Sequence, residues 1–493
     1  MKYFSTRNSE YKVSAAEAIV RGLAPDGGLF VPETVPYMDT DEIRSLCKLD
    51  YRGRAAHIIA KYMEKFSAEE INGFVTAAYG DNFDDARIAP LHFVDDTTAV
   101  LELWHGPTCA FKDMALQILP HLLTASLRKC GEERTACILV ATSGDTGKAA
   151  LEGFAGVDGT KIHVFYPKDG VSDVQKLQMI TQSGDNVGVT AVVGNFDDAQ
   201  TGVKKIFGDK EFAEELSKRG YFLSSANSIN WGRLLPQIVY YFSAYCDFVN
   251  SGRIFYGQSV NFAVPTGNFG NILACWYAKQ MGLPVARLIC CSNENKVLAD
   301  FISSGTYDKN REFKNTISPS MDILVSSNLE RLLYAISLSD SEVAGYMREL
   351  SEKGRYSVSD SIRFALAMHF AGGWCSDEDA KSAIARLWSE HGYLIDTHTA
   401  VAFKVTEDFR ARSMSNEPTV IVSTASPFKF CDSVLSALGD NEEAPGTELI
   451  EKLSQLCGIP APAPLCGLDK RERRFEGYVE KQDMKRVVSE FLM

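Results

Sequence analysis

The sequence is poor in the features that several protein classes need. It carries 51 Lys and Arg against 64 Asp and Glu over 493 residues, a formal net charge of −13. Without an excess of positive charge it does not attract a polyanion, so nucleic acid and anionic membranes are not expected partners. A local basic pocket for one small anion is compatible with this balance. The twelve cysteines are scattered, none is spaced Cys-x-x-Cys, and the nearest pair is the adjacent Cys290–Cys291. That usage fits reduced thiols and a cytoplasmic location better than a disulfide scaffold. Residues Met1 to Arg7 lack the apolar stretch of a secretory signal. No uninterrupted apolar run approaches the ~20 residues of a membrane span.

Chemical motifs are missing too. The eight histidines, at 57, 92, 105, 121, 163, 369, 391 and 398, include no His-Glu-x-x-His pair, so no metal site is expected. His398 reads as a hydrogen-bonding structural residue. There is no Gly-x-Ser-x-Gly nucleophile elbow and no Gly-x-Gly-x-x-Gly. Gly144-Asp145-Thr146-Gly147-Lys148-Ala149 has a superficial likeness to a nucleotide phosphate loop. It lacks the four-residue spacer and has Ala149 where a magnesium-binding hydroxyl is required.

What is present is ordinary globular composition, 45% hydrophobic and 23% charged. The length is about three times the ~150 residues of a typical unit, so two or three packed units are expected. The first ninety residues read as helical with one hairpin-like insert. Ser14-Ala15-Ala16-Glu17 is a capping box opening a helix that stops at Gly22. Helical patterns follow near 41–48 and 54–64, after a short strand at Leu29-Phe30-Val31. From about residue 98, apolar runs alternate with glycine-bearing loops and helical patterns. Strands are expected at 136–141, 162–166, 189–193, 261–264, 287–290 and 419–422. This rhythm predicts an α/β fold with parallel sheets covered on both faces. The segment 460–464 is a stiff Pro-rich linker, and a short helix is expected near 481–492.

Four loops could carry chemistry. Pro265-Thr266-Gly267-Asn268-Phe269-Gly270-Asn271 follows a strand and precedes a helix. Its glycines and helix start make a phosphate cradle, or simply a tight turn. Ser143-Gly144-Asp145-Thr146-Gly147 suits a small carboxylate, or serves as an N-cap, or both. In His105-Gly106-Pro107-Thr108-Cys109-Ala110-Phe111-Lys112-Asp113, an amphipathic helix is expected to run on toward Pro120. Lys112 sits among apolar neighbours: buried, its amine becomes a nucleophile; exposed, it is a snorkelling side chain. Ser423-Thr424-Ala425-Ser426 ends a strand, where a hydroxyl could meet a heteroaromatic nitrogen or its own backbone.

A phosphate cradle, an amine nucleophile and a carboxylate loop together suit pyridoxal 5'-phosphate (PLP). The chain resembles the threonine synthases of the bacterial and fungal type. The matching stretches include Tyr3 to Arg7, Gly22 to Leu29, His105 to Asp113, Ala141 to Gly147 and Asn227-Ser228-Ile229-Asn230-Trp231. They continue with Pro265 to Asn271, Ser318-Pro319-Ser320-Met321-Asp322-Ile323 and His398-Thr399-Ala400. The resemblance implies a fold-type II PLP enzyme with parallel-sheet large and small domains plus an N-terminal helical domain. The implied division is 1–95 helical, 96–129 with 232–440 large, 130–231 small and mobile, and 441–493 a C-terminal extension packed on the large domain.

By the same resemblance Lys112 bonds the cofactor covalently. Gly267, Asn268, Phe269, Gly270 and Asn271 hold its phosphate, and Thr424 meets its ring nitrogen. Ser143, Gly144, Asp145 and Thr146 bind the substrate carboxylate. Arg233, beside a matching motif, is assigned to the substrate phosphate. The implied reaction turns O-phospho-L-homoserine and water into L-threonine and phosphate. The alternatives are a phospho-lyase releasing a 2-oxo acid and ammonia, and a non-catalytic ligand-binding paralogue. A monomer or homodimer is expected. Cys109, Ser426 and Phe428 depart from the family's usual Leu, His and Ala.

Overall fold

The computed structural model describes residues 1–142, 144–169 and 171–493. The chain opens with a hairpin, β1 (Lys2–Ser5) and β2 (Asn8–Ser14), joined by β3 (Phe30–Pro32) into a three-stranded antiparallel sheet. The reading as helix with one insert missed the first two strands. The Ser14 capping box is present, and its helix, Ala15–Arg21, stops at Gly22 with φ +68°. Arg7 donates to both oxygens of Glu330, at 2.8 and 2.7 Å, and so ties this sheet to the middle of the chain.

Two larger sheets follow. β4 (Leu91–Phe93) and β5 (Thr98–Glu102) begin the first, and β6 (Thr135–Ala141), β7 (Thr160–Pro167), β8 (Val187–Val192) and β9 (Tyr221–Ser224) build the second. The chain then returns to the first sheet with β10 (Val260–Pro265) and β11 (Val285–Ser292). A separate two-stranded antiparallel sheet, β12 (Thr306–Asp308) and β13 (Arg355–Ser357), comes in the chain between these and β14 (Phe370–Trp374) and β15 (Thr419–Ser423). A final short strand, β16 (Tyr478–Val479), pairs with β8. The large sheet has the order β14-β11-β10-β15-β5-β4 and is parallel except for β4. The small sheet, β16-β8-β7-β6-β9, is parallel throughout. Every residue of β10 and β15 is buried, as parallel strands covered on both faces require.

The C-terminal segment is shared between the two units: Leu449, Ile450, Leu453, Leu465 and Leu468 pack with Phe428, Val434 and Leu435 of the large one. It then leaves the large unit and ends on the small one. Beyond β16, the helix Met484–Phe491 buries Met484 and Val488. A Cβ on Gly202 would lie 2.2 Å from Met484 Sδ, so this glycine lets the Met484 side chain lie directly against the helix Phe196–Gly208.

The helix Trp231–Asn250 runs through the core and is buried over most of its length. Trp231 is fully buried, with the rings of Tyr3, Tyr62 and Tyr277 at centroid distances of 5.3, 5.5 and 5.4 Å. Truncating such a residue costs about 3–5 kcal/mol. Among the described residues no helix is long and apolar enough to cross a membrane.

Candidate active site

The four loops singled out in the sequence leave the C-terminal ends of β5, β6, β10 and β15, where open α/β sheets gather ligands. Backbone hydrogen bonds stitch two of them together. Phe111 N donates to Thr424 O at 2.8 Å, and Ser426 N donates to Cys109 O at 3.0 Å. Cys109 takes φ +57°, the left-handed turn that brings Lys112 back toward Thr424. The helix expected to run from here to Pro120 is broken into Asp113–Leu116 and Leu119–Cys130, with Pro120 in the first turn of the second. A proline there has no N–H to donate and suits a helix start.

The Lys112 side chain is 12% exposed, and Nζ makes no hydrogen bond among the described residues. Burial pushes its amine down to about 8, against the opposing charge of Asp145. The side chain is thus largely buried, and its amine gives up its proton more readily than an exposed lysine's. Asp145 Oδ2 stands 3.8 Å away. Burial alone would raise the Asp145 carboxyl, but Lys429 and Lys112 hold it well below the ordinary carboxylate range. Asp113 is buried; that pushes its carboxyl up to about 7, although Thr108 donates to it from N and Oγ1 at 2.8 and 2.7 Å.

The loop after β10 has the form of an anion cradle. Among the described residues, the N–H groups of Gly267, Asn268, Phe269, Gly270 and Asn271 find no acceptor in the chain. They gather at the start of the helix Gly270–Gln280, with Phe269 at φ +63°. Unpaired N–H groups at a helix start are a natural seat for phosphate. The loop is backed by a second layer. Asn328 Nδ2 donates to Asn268 O at 3.0 Å, and Ser326 Oγ donates to Gly267 O at 2.8 Å. A Cβ on Gly267 would lie 2.6 Å from Ser320 O. Ser320 N in turn donates to His398 Nε2 at 3.2 Å, and Asp396 holds the other ring nitrogen at 2.9 Å. His398 is thus the hydrogen-bonding structural residue expected, and it positions the loop over the cradle.

The loop after β6 is built on Thr142. Its Oγ1 accepts from Gly144 N at 3.0 Å and Gly147 N at 2.9 Å. Gly144 has φ +144°, and a Cβ there would lie 2.4 Å from Gln175. The N–H groups of Asp145 and Thr146 have no acceptor among the described residues. Ser143, named with this loop, lies outside the described residues.

Arg233 is 3% exposed; Nη1 donates to Ala226 O at 2.6 Å, and Nε has no partner. It forms no ion pair among the described residues, and burial pushes it down to about 10. Its charge is felt at Lys112. A buried guanidinium without an anion is costly, which makes Arg233 a candidate seat for one.

Thr424 is buried, and its backbone carbonyl accepts from Phe111 N on the loop that carries Lys112. Ser426 Oγ accepts from Phe428 N at 3.4 Å, and both residues are buried beside this loop. The residues fit PLP: an amine of lowered basicity, five N–H groups at a helix start unpaired among the described residues, and the Thr424 hydroxyl. Sequence reasoning passed over Lys429 and Gln175, which both bond Asp145 Oδ1, at 2.8 and 2.9 Å. Lys429 had one usable signal, a lysine within an otherwise apolar turn.

Known protein families match this chain along most of its length. Residues 2–79 match the family described as threonine synthase N terminus, 95–371 the pyridoxal-phosphate dependent enzymes, and 399–489 the threonine synthase C-terminal family. Threonine synthase of Pseudomonas aeruginosa is 40% identical, over 89% of this chain and 90% of its own. Threonine synthase-like 1 of Macaca fascicularis is 39% identical over 97% of this chain, which spans 66% of that protein's length. The crystal structure of PLP-bound threonine synthase from Brucella melitensis superposes with TM-score 0.88 at 37% identity, covering 100% of this chain and 98% of that one. Sheet order, loop placement and sequence likeness thus converge, and the chain belongs to the threonine synthase family of PLP-dependent, fold-type II enzymes.

Proposed function

We propose that this protein converts O-phospho-L-homoserine and water to L-threonine and phosphate. The observation that carries this reading is Arg233, a buried guanidinium without an ion-pair partner among the described residues, whose charge reaches Lys112. It calls for a substrate with a second anionic group beyond its carboxylate.

PLP, when bound, supplies an electron sink for negative charge developing on carbons next to the substrate amine. Lys112 would hold it covalently, the Gly267–Asn271 amides its phosphate and the Thr424 hydroxyl its ring nitrogen. A neutral hydroxyl there leaves that nitrogen less fully protonated than a carboxylate would. Lys112 Nζ, its basicity lowered by burial, then takes and returns protons at the substrate carbons. The Asp145 and Thr146 N–H groups, with the Ser143–Thr146 loop, orient the substrate carboxylate. Arg233 binds the phosphate and stabilises its charge as it leaves. The small domain, proposed as 130–231, closes over the large one to limit stray hydrolysis before water adds.

The deciding experiment is a product assay. Purified protein loaded with PLP is given phosphohomoserine, and threonine, 2-oxobutyrate and phosphate are measured. Threonine in step with phosphate supports the proposal. 2-Oxobutyrate in step with phosphate makes the protein a phospho-lyase, and no turnover with full cofactor loading makes it a binding protein.

A further inference from the structure

Two lysines meet in the cleft, and the proposed reaction uses only Lys112. Lys429 lies on the short turn Pro427–Lys429 beyond β15, and its side chain is 0% exposed. Its Nζ donates to Thr108 O at 2.9 Å and forms an ion pair with Asp145 Oδ1 at 2.8 Å. Gln175 Nε2 donates to the same carboxylate oxygen at 2.9 Å. Asp145 opens a helix of the small sheet, whereas Lys429 belongs to the large one. The ion pair therefore links the elements of the two sheets. The other Asp145 oxygen lies 3.8 Å from Lys112 Nζ, too far for a hydrogen bond.

We propose that Lys429 is a positioning residue that commits the Asp145 carboxylate to itself, leaving the Lys112 amine free to lose its proton. One carboxylate buried with one amine forms a tight pair, which fixes a proton on nitrogen and withdraws the lone pair a nucleophile needs. Here two amines share one carboxylate, and the geometry divides them unequally. Lys429 has two acceptors in hydrogen-bond range, and Lys112 has none among the described residues.

The other groups facing Lys112 do not replace that pairing. The Phe111 ring is 5.4 Å away, and Arg233 contributes repulsion. The Asp113 carboxylate is occupied by Thr108. The neighbouring Cys109 thiol is pushed up to about 12 by burial, so it carries no charge near neutral pH.

The inference rests on Lys112 being the cofactor lysine, but its test reads the amine itself. Full-length protein freed of PLP is pulse-labelled with acetic anhydride across a pH series, and the Lys112 peptide is quantified by mass spectrometry. Lys429→Met should raise the Lys112 midpoint by about one pH unit or more, a roughly tenfold loss of reactive amine at a fixed lower pH. Lys429→Arg, which keeps the charge, should leave it near the native value. Asp145→Asn should move it the opposite way, because the remaining charged neighbours are mostly cationic. An unmoved midpoint in Lys429→Met overturns the proposal, as does Lys429→Arg shifting as far as Lys429→Met. Should Lys429→Met not fold, Asp145→Asn decides: a midpoint that stays or rises refutes the assignment. Borohydride trapping of PLP is a separate readout. Its failure at Lys112 would count against the proposed function while leaving this titration valid.

Discussion

At the scale of single residues, the cleft is ruled by how few charges are paired in the ordinary way. Lys112→Ala removes the amine that would bond PLP, so the visible absorbance of the loaded protein should vanish. An undiminished band would refute its role. Arg233→Met should raise KM for a phosphorylated substrate roughly 10- to 100-fold, the worth of one charge-assisted contact of about 1.5–3 kcal/mol. Equal KM values for the native and variant proteins would place the substrate phosphate elsewhere. His105 offers a pH-dependent prediction. Burial works against its charge, yet Asp84 and Glu102, bonded to its two ring nitrogens, push it up from the ordinary 6.5 to about 9. Its stabilising effect is complete below pH 6.5 and is lost as pH rises through 9. His105→Asn should therefore flatten the fall in Tm across that window, read by thermal melts at matched ionic strength.

At the scale of elements, backbone clearance is the governing quantity. Gly267→Ala places a methyl group 2.6 Å from Ser320 O, so one of two backbone loops must move. PLP should then bind about tenfold more weakly or worse, measured by cofactor fluorescence, since overpacking costs about 1–3 kcal/mol. Gly73→Ala is the control: it meets nothing within 4 Å in its helix and should be neutral or slightly stabilising. The same scale explains what the sequence disclosed. β6, β10 and β15 were legible because buried parallel strands read as apolar runs with β-branched residues. The Ser14 capping box was legible because it is a local reciprocal bond. β1 and β2 were not, since Lys2–Ser5 is short and Asn8–Ser14 mixes polar and charged residues whose pairing is decided by the hairpin. The loops of the site could be found from their glycines. Which amine they left unpaired could not, because Lys429, Asp145 and Lys112 meet only through the packing of two sheets.

For the whole molecule, the two sheets are joined more than once. The chain enters the small sheet before β6 and leaves it after β9, and the C-terminal segment crosses back to pair β16 with β8. Ending the chain after Glu476 removes this third link and uncovers the surface under Met484, Val488 and Leu492. Burial of each such side chain is worth ~1.5–3 kcal/mol, so the small sheet should loosen by several kcal/mol. Amide exchange at Val187–Val192 should accelerate in the truncated protein, while that of Val260–Pro265 changes little. Equal exchange at both sites would show that the third link contributes nothing to stability.

That crossing also sets a schedule during biosynthesis. A ribosome delivers β8 first and its partner β16 roughly three hundred residues later, an interval of about 15 to 60 seconds at usual elongation rates. Throughout that time the rim of β8 is an open template for any other nascent strand. A cell making this protein must therefore shield the half-built sheet, and slowed translation of the last third would lengthen the exposure.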